Sequence, residues 1–393
     1  MTESSRRNFL LAGLALPAAA TAARTSADDQ KREASPHGPV VTPSGTPELR
    51  YRTLGKTGLK ITSLGFGCMV TSDASVIERA ADMGITYFDT ARGYQSGNNE
   101  RMVGAALKGK RHNITLSSKT PSKTKEAALA DLDTSLRELG TDHLDIWYLH
   151  AKTKPADVTD ELMDAQQTAK KAGKIRFAGV STHSGQTELI PALTANPHID
   201  VILTAYNFSM GQTLDPVIAA AHAAGKGVVA MKVMAGGFRN TKPGEKIYNT
   251  FKKDGALLAA LRWVLKSSDI DTTIPSITDM DQLEENLKAM TGGFTRSDEG
   301  LLAKHLEYIA PLYCRMCGQC DGSCSKGLPV ADLLRFLTYA EGYGQFSLGR
   351  ERFLELPAEL AQVRCDSCST CTVACPHGVR VSERLSRAQE IFA

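Results

Sequence analysis

Between about residues 62 and 290, short apolar runs rich in β-branched side chains alternate with longer stretches that are apolar at every third or fourth position. Runs of the first kind fit strands; stretches of the second kind fit helices with one buried face. The strand candidates are Leu64–Met69, Thr86–Thr90, Ile114–Lys119, Leu144–His150, Ile175–Ser181, Val201–Asn207, Gly227–Val233 and Thr272–Ile277. Between two of them, Ala127–Leu139 sets Leu129, Leu132, Leu136 and Leu139 on one helical face. Such alternation predicts an α/β fold of parallel strands joined by helical crossovers. Eight βα units in about 250 residues predict a (β/α)8 TIM barrel. A doubly wound open sheet is the alternative, but the Gly-rich dinucleotide loop that would follow its first strand is missing.

The pattern changes at both ends. Residues 1–23 contain Ser5-Arg6-Arg7-Asn8-Phe9-Leu10, then an apolar run holding Ala20-Thr21-Ala22. This resembles a twin-arginine export signal with a small-residue cleavage site. The run is short and alanine-rich for a transmembrane span. Residues 24–48, with Pro36, Pro39, Pro43 and Pro47, read as a solvated tether. The barrel is expected over 49–298, and a small α-helical, ferredoxin-like domain over 299–393.

Composition narrows the function classes. A 42% hydrophobic content over 393 residues suffices for a large core. The formal charge of +3 comes from scattered Lys and Arg, so nothing points to nucleic acid. Cysteine is the informative residue: eight of the nine lie between Cys314 and Cys375. Cys314, Cys317, Cys320 and Cys324 are spaced C-x2-C-x2-C-x3-C, and Cys365, Cys368, Cys371 and Cys375 repeat the spacing, with Pro376 following. Three thiolates two residues apart can wrap a cubane corner by corner, whereas the fourth lies too far along to complete it. The spacing is that of two-cluster bacterial ferredoxins, in which Cys324 would serve the cluster of the second run and Cys375 that of the first. Two 4Fe-4S clusters are therefore expected. Disulfides would give no reason for the register, and zinc ribbons use pairs rather than quadruplets. Cys68 reads as a buried barrel cysteine. An export route for folded cargo fits these cysteines, because clusters are assembled in a reducing compartment and unfolded thiols would pair in an oxidising one.

In a TIM barrel, chemistry gathers at the carboxyl ends of the strands. Asp89 ends the second strand with Tyr94 just beyond, Lys119 ends the third and His150 the fourth. Singly each has an ordinary explanation, as a surface charge, a core histidine or a turn. Their placement on successive strand ends predicts a shared site.

These residues carry a resemblance. Asp89-Thr90-Ala91-Arg92-Gly93-Tyr94, Asn99-Glu100, Lys119, Ser135-Leu136-Arg137-Glu138-Leu139-Gly140-Thr141-Asp142 and Trp147-Tyr148-Leu149-His150 resemble the aldo/keto reductase family, as does the hairpin Tyr51–Leu59. The segment after residue 290 is similar to that of the ferredoxin-tailed branch. The resemblance implies hydride transfer between NAD or NADP and a carbonyl or alcohol such as an aldehyde, ketone or sugar. Tyr94 would be general acid and base, Lys119 would lower its pKa, Asp89 would orient Lys119, and His150 would hydrogen-bond the substrate oxygen. It also implies cofactor contacts at Ser181, Lys232, Ser276, Glu285 and Asn286. Leu203, Met231, Ser276 and Gln282 depart from the family pattern, and the missing cations weaken the argument for NADP over NAD.

Export implies a periplasmic location, the twin-arginine machinery as a partner, and a redox partner protein for the clusters. Two other readings stay open. One is an electron-transfer iron–sulfur subunit with an inert barrel. The other is a polyol or sugar dehydrogenase that passes electrons out through the clusters.

Overall fold

The computed structural model describes residues 48–238, 242 and 244–393. The expected export signal at 1–23 and all but the last residue of the tether lie outside the described residues. The chain enters through an antiparallel hairpin of β1 (Tyr51–Thr53) and β2 (Lys60–Thr62). Eight parallel strands follow: β3 (Phe66–Gly67), β4 (Tyr87–Asp89), β5 (Thr115–Thr120), β6 (Leu144–Leu149), β7 (Ile175–Thr182), β8 (Val201–Ala205), β9 (Gly227–Met231) and β10 (Thr272–Thr273). They pair in chain order. Parallel bridges from Leu64 to Thr273 and from Gly67 to Ser276 join the first strand to the last. A side chain at Gly67 would lie 2.7 Å from the Ile274 carbonyl oxygen, so the close approach at this seam needs glycine.

Each barrel strand leads into a helix. In order these are α1 (Ala74–Asp82), α2 (Asn98–Ala106), α3 (Lys125–Leu139), α4 (Asp160–Lys171), α5 (Gln186–Ala195) and α6 (Gly211–Ala223). Then come a short α7 (Lys246–Tyr248), α8 (Ala256–Leu265) and α9 (Met280–Leu287). The third shows why its sequence is helical. Thr124 caps its first turn by accepting from the Ala127 N–H, and Gly140 ends it at φ 64°. Leu132, Leu136 and Leu139 are buried and Leu129 is half-buried. Each buried leucine contributes about 1.5–3 kcal/mol relative to exposure.

Along β6, Ile146 and Tyr148 point into the barrel while Trp147 and Leu149 pack outward against helices. Strands covered on both faces read as unbroken apolar runs, which is how the sequence presents them. Leu54, Leu59 and Ile61 of the hairpin region join the interior cluster and plug the end opposite the strand carboxyl termini.

All eight barrel strands expected from the sequence are present, but several stop sooner than their apolar pattern suggests. The strands end at Asp89, Leu149, Met231 and Thr273 rather than at Thr90, His150, Val233 and Ile277, with an isolated bridge at Ser276 past the last. Left-handed backbone at Ala151 (φ 53°) and Lys232 (φ 57°) breaks the pleat at two of these points.

Beyond the barrel lie α10 (Arg296–Ile309), α11 (Val330–Leu337), a π turn at Thr338–Gly342, α12 (Phe346–Leu354), α13 (Ala358–Ala361) and α14 (Val381–Phe392). Leu333, Leu337, Phe353, Leu385 and Phe392 are buried among these helices. The first cysteine run occupies the loop between α10 and α11, and the second the segment between α13 and α14.

Candidate active site

Strand register sets the site. Asp89 pairs across from Ser117, and Lys119 lies two residues further along β5 on the same face. Ser117 Oγ donates to Asp89 Oδ1 at 2.7 Å. The Lys119 ammonium donates to Asp89 Oδ2 at 2.5 Å, to the Thr90 carbonyl at 2.6 Å and to Tyr94 Oη at 3.3 Å. An ammonium has three N–H donors, and all three are engaged. Because the phenol oxygen accepts from Lys119, its own O–H is left to point elsewhere.

The loop that carries Tyr94 is pinned from several sides. Gln95 and Ser96 take left-handed conformations (φ 50° and 52°), and Gln95 Nε2 donates to the Thr71 carbonyl at 2.8 Å. Asn99 Nδ2 donates to the Cys68 carbonyl at 2.8 Å while its Oδ1 accepts from Thr90 Oγ1 at 2.6 Å. Buried Glu100 accepts from Ser118 Oγ at 2.6 Å and pairs with Arg92. Asn99 and Glu100 thus hold the loop to the barrel, a role their sequence pattern did not reveal. Cys68 is buried with a free thiol.

His150 follows β6, and its backbone N–H still donates to Thr120. Its ring lies 5.8 Å from the Tyr94 ring, nearly edge-on at 77°. His183, past the end of β7, is the next aromatic neighbour at 6.4 Å. The structure therefore brings Asp89, Tyr94, Lys119 and His150 together.

Burial dominates the electrostatics. It raises the Asp89 carboxyl, which Lys119 pulls back without fully offsetting. For Lys119, burial lowers the ammonium, yet Asp89 and Tyr94 together leave it above its ordinary value. Residue types alone predict that Lys119 draws the phenol down. Instead, burial pushes Tyr94 up to about 12 against the pull of Lys119, and the nearby Asp89 charge adds to the rise. His150 is held well below its ordinary value by burial and then by Lys119, Arg352 and Arg335, so its imidazole is neutral.

A cavity of about 720 Å³ opens over Tyr94, His150 and His183. Part of its wall comes from beyond the barrel: Arg335, Tyr339 and Arg352 line it too. The sequence carries no sign of that, since α11 and α12 reach the barrel mouth only through tertiary packing. A narrower space beside it is bordered by Asp89, Tyr94, Met231, Lys232 and Ser276.

Of the residues implied as cofactor contacts, Lys232 and Ser276 border the narrower space, whereas Ser181, Glu285 and Asn286 line neither. Ser181 is buried, and its Oγ accepts from the Ala151 N–H at 2.9 Å. The Lys232 ammonium lies 5.1 and 5.4 Å from the ring centres of Tyr339 and Tyr343. Half-buried Ser276 sits on the barrel seam, and Glu285 and Asn286 are on α9. Asn286 is fully buried, yet among the described residues neither its Oδ1 nor its Nδ2 has a partner. Such a residue is costly unless something else supplies the hydrogen bonds.

The cysteines sort into two sets across the runs. The Cys314 thiol is pushed up to about 12, by burial first, with Cys320, Cys317 and Cys375 adding to the rise. Cys365 is pushed up to about 11 by burial and then by Cys324, Cys371 and Cys368. A cavity of about 360 Å³ is lined by Cys324, Cys365, Cys368 and Cys371, without Cys375. All eight are free thiols. The four thiols around this void would suit one cluster.

Residues 68–307 match the model of the aldo/keto reductase family. The chain belongs to the aldo/keto reductase family of oxidoreductases. Residues 313–380 of this aldo/keto reductase match a 4Fe-4S dicluster domain, which implies two clusters. An uncharacterized oxidoreductase, YqkF, of Bacillus subtilis is 35% identical over 155 residues, which is 34% of this chain and about half (49%) of that protein. A probable aldo-keto reductase 1 of Glycine max is 24% identical over 298 residues, covering 62% of this chain and 85% of the other. Among solved structures, the holo form of aldo-keto reductase AKR11C1 from Bacillus halodurans superposes with a TM-score of 0.57 at 27% identity, over 66% of this chain and 96% of its own.

Proposed function

We propose that this family member moves a hydride between a nicotinamide dinucleotide and the carbon of a carbonyl or alcohol substrate, with Tyr94 handling the proton at oxygen. The observation that carries the reading is the saturated Lys119 ammonium, whose bond to Tyr94 Oη leaves the phenolic O–H free for the cavity it shares with His150. In the reductive direction Tyr94 donates that proton as negative charge grows on the substrate oxygen. Lys119 stabilises the resulting tyrosinate, and Asp89 keeps Lys119 in place. Neutral His150 offers an N–H to the same oxygen. Ser181, Lys232, Ser276, Glu285 and Asn286 would hold the dinucleotide, which supplies the hydride when bound. With Ser276 and Gln282 where the family carries basic residues, either NAD or NADP is admitted.

Cys314, Cys317, Cys320 and Cys375 would bind one cluster, and Cys324, Cys365, Cys368 and Cys371 the other. Arg6 and Arg7 support export of the folded, loaded protein by the twin-arginine machinery to the periplasm, where a partner protein would exchange electrons with the clusters. The test is anaerobic purification followed by iron, sulfide and nucleotide analysis, with aldehyde-dependent oxidation of reduced nicotinamide by wild type and Tyr94→Phe. Undiminished turnover by Tyr94→Phe would favour an inert barrel serving an electron-transfer protein.

A further inference from the structure

The iron–sulfur domain does more than follow the barrel in the chain; it roofs the candidate site. Gly342, the last residue of the π turn, approaches Gly236 so closely that an added Cβ would sit 2.2 Å from the Gly236 carbonyl oxygen. Tyr343 covers Gly237, and the Arg352 guanidinium reaches Gly93, next to Tyr94. Arg335 of α11 and Arg352 of α12 therefore share one cavity with Tyr94 and His150.

The charge of that cavity is lopsided. Lys123, Lys152, Arg335 and Arg352 line it, against only Asp157 and Glu355. Asp157 is already engaged by the Thr153 and Lys154 backbone N–H groups at 2.9 and 3.2 Å. Glu355 pairs with Arg352 at 2.8 Å, and Arg335 with Asp332 at 2.8 Å, but both carboxylates are about half exposed and so are weak counterions. A cavity walled by surplus cations concentrates anions, and the planar donor fork of a guanidinium suits a planar or tetrahedral oxyanion. The field is felt by neighbouring groups. Burial alone would raise the Tyr339 phenol, yet Lys232, Arg335 and Arg352 bring it below its ordinary value.

We propose that Arg335, assisted by Arg352, binds an anionic group of the substrate, a carboxylate or a phosphate, while the reacting C–O bond lies at Tyr94 and His150. This rests on the catalytic reading above for its placement of the reacting bond. The iron–sulfur domain then sets substrate class, and the barrel supplies the chemistry.

The test has two arms on the full chain, purified anaerobically with its clusters. In the first, acetate and inorganic phosphate are titrated by calorimetry into wild type, Arg335→Met and Arg335→Lys. One of the ions should bind wild type, at least tenfold more weakly to Arg335→Met, with part of the affinity restored in Arg335→Lys. Equal binding by wild type and Arg335→Met, absence of binding to wild type, or complete displacement by NAD or NADP would overturn the proposal, the last by giving the arginine to the dinucleotide. In the second, kcat/KM is compared for 4-oxobutanoate against butanal and for glyceraldehyde 3-phosphate against glyceraldehyde. Wild type should favour one anionic member by at least tenfold, and Arg335→Met should collapse that ratio. Equal ratios in the two proteins would overturn the substrate assignment while leaving hydride transfer intact. Ion binding through Arg335 in a protein that reduces no carbonyl would uphold the anion site and count against the proposed reaction.

Discussion

The Lys119 nitrogen and the Tyr94 phenol oxygen lie 3.3 Å apart, with the nitrogen donating and its other two N–H groups taken by Asp89 and Thr90. Lysine can therefore stabilise tyrosinate but cannot be the proton source itself without breaking a buried pair. Replacing Tyr94 with Phe removes the group assigned to deliver the proton. Carbonyl reduction should fall roughly 10²–10⁴-fold in kcat, while nucleotide affinity measured by fluorescence stays within about twofold.

Asp89→Asn leaves the Lys119 ammonium buried without its counterion. Breaking such a pair costs roughly 3–5 kcal/mol. Chemical denaturation should show a loss of that order, and adding Lys119→Met to the variant should restore part of it. A loss under about 1 kcal/mol would mean that solvent reaches the pair.

The pH dependence follows from the direction of the Tyr94 shift. Its phenol, pushed up to about 12, stays protonated through neutrality, so reduction should be flat with pH and decline only as pH approaches that value. Alcohol oxidation needs the tyrosinate and should climb up to about tenfold per pH unit over the same range. His150, held well below 6.5, adds no break above that pH. Steady-state profiles in both directions check this; a reduction rate that titrates near neutrality would contradict it.

The grouping of thiols makes opposite predictions for two cysteines that close their own runs. Cys324→Ser should damage the cluster that uses Cys365, Cys368 and Cys371, and Cys375→Ser the one that uses Cys314, Cys317 and Cys320. Iron content of either variant should fall by about half. Spin-resonance spectra of the two should differ in which signal survives. Identical spectra would mean that each run binds its own cluster.

Asn286→Leu removes two buried polar atoms that lack partners among the described residues. The nucleotide-free protein should melt no lower than wild type, because nothing satisfied is lost. Affinity for NAD or NADP should fall by roughly fivefold or more, the equivalent of about one hydrogen bond. Unchanged affinity would remove Asn286 from the cofactor site.

How much of this was legible beforehand depended on how local each property is. The eight strands, the buried face of Lys125–Leu139 and the strand-end positions of Asp89, Lys119 and His150 follow from periodicity, which a few neighbouring residues determine. Strand ends were overrun because apolar side chains continue past the point where Ala151 and Lys232 turn the backbone left-handed. Cysteine spacing is local as well, so both cluster runs stood out.

What the chain alone settled, then, was the kind of scaffold and the inventory of reactive groups, since both are written in short-range order. Folding in three dimensions decided the rest. Desolvation outweighs the Lys119 charge and raises the Tyr94 phenol, and packing carries Arg335 and Arg352 from a remote stretch of sequence to the barrel mouth. Both effects depend on what lies across space from a residue, and no spacing along the chain encodes that.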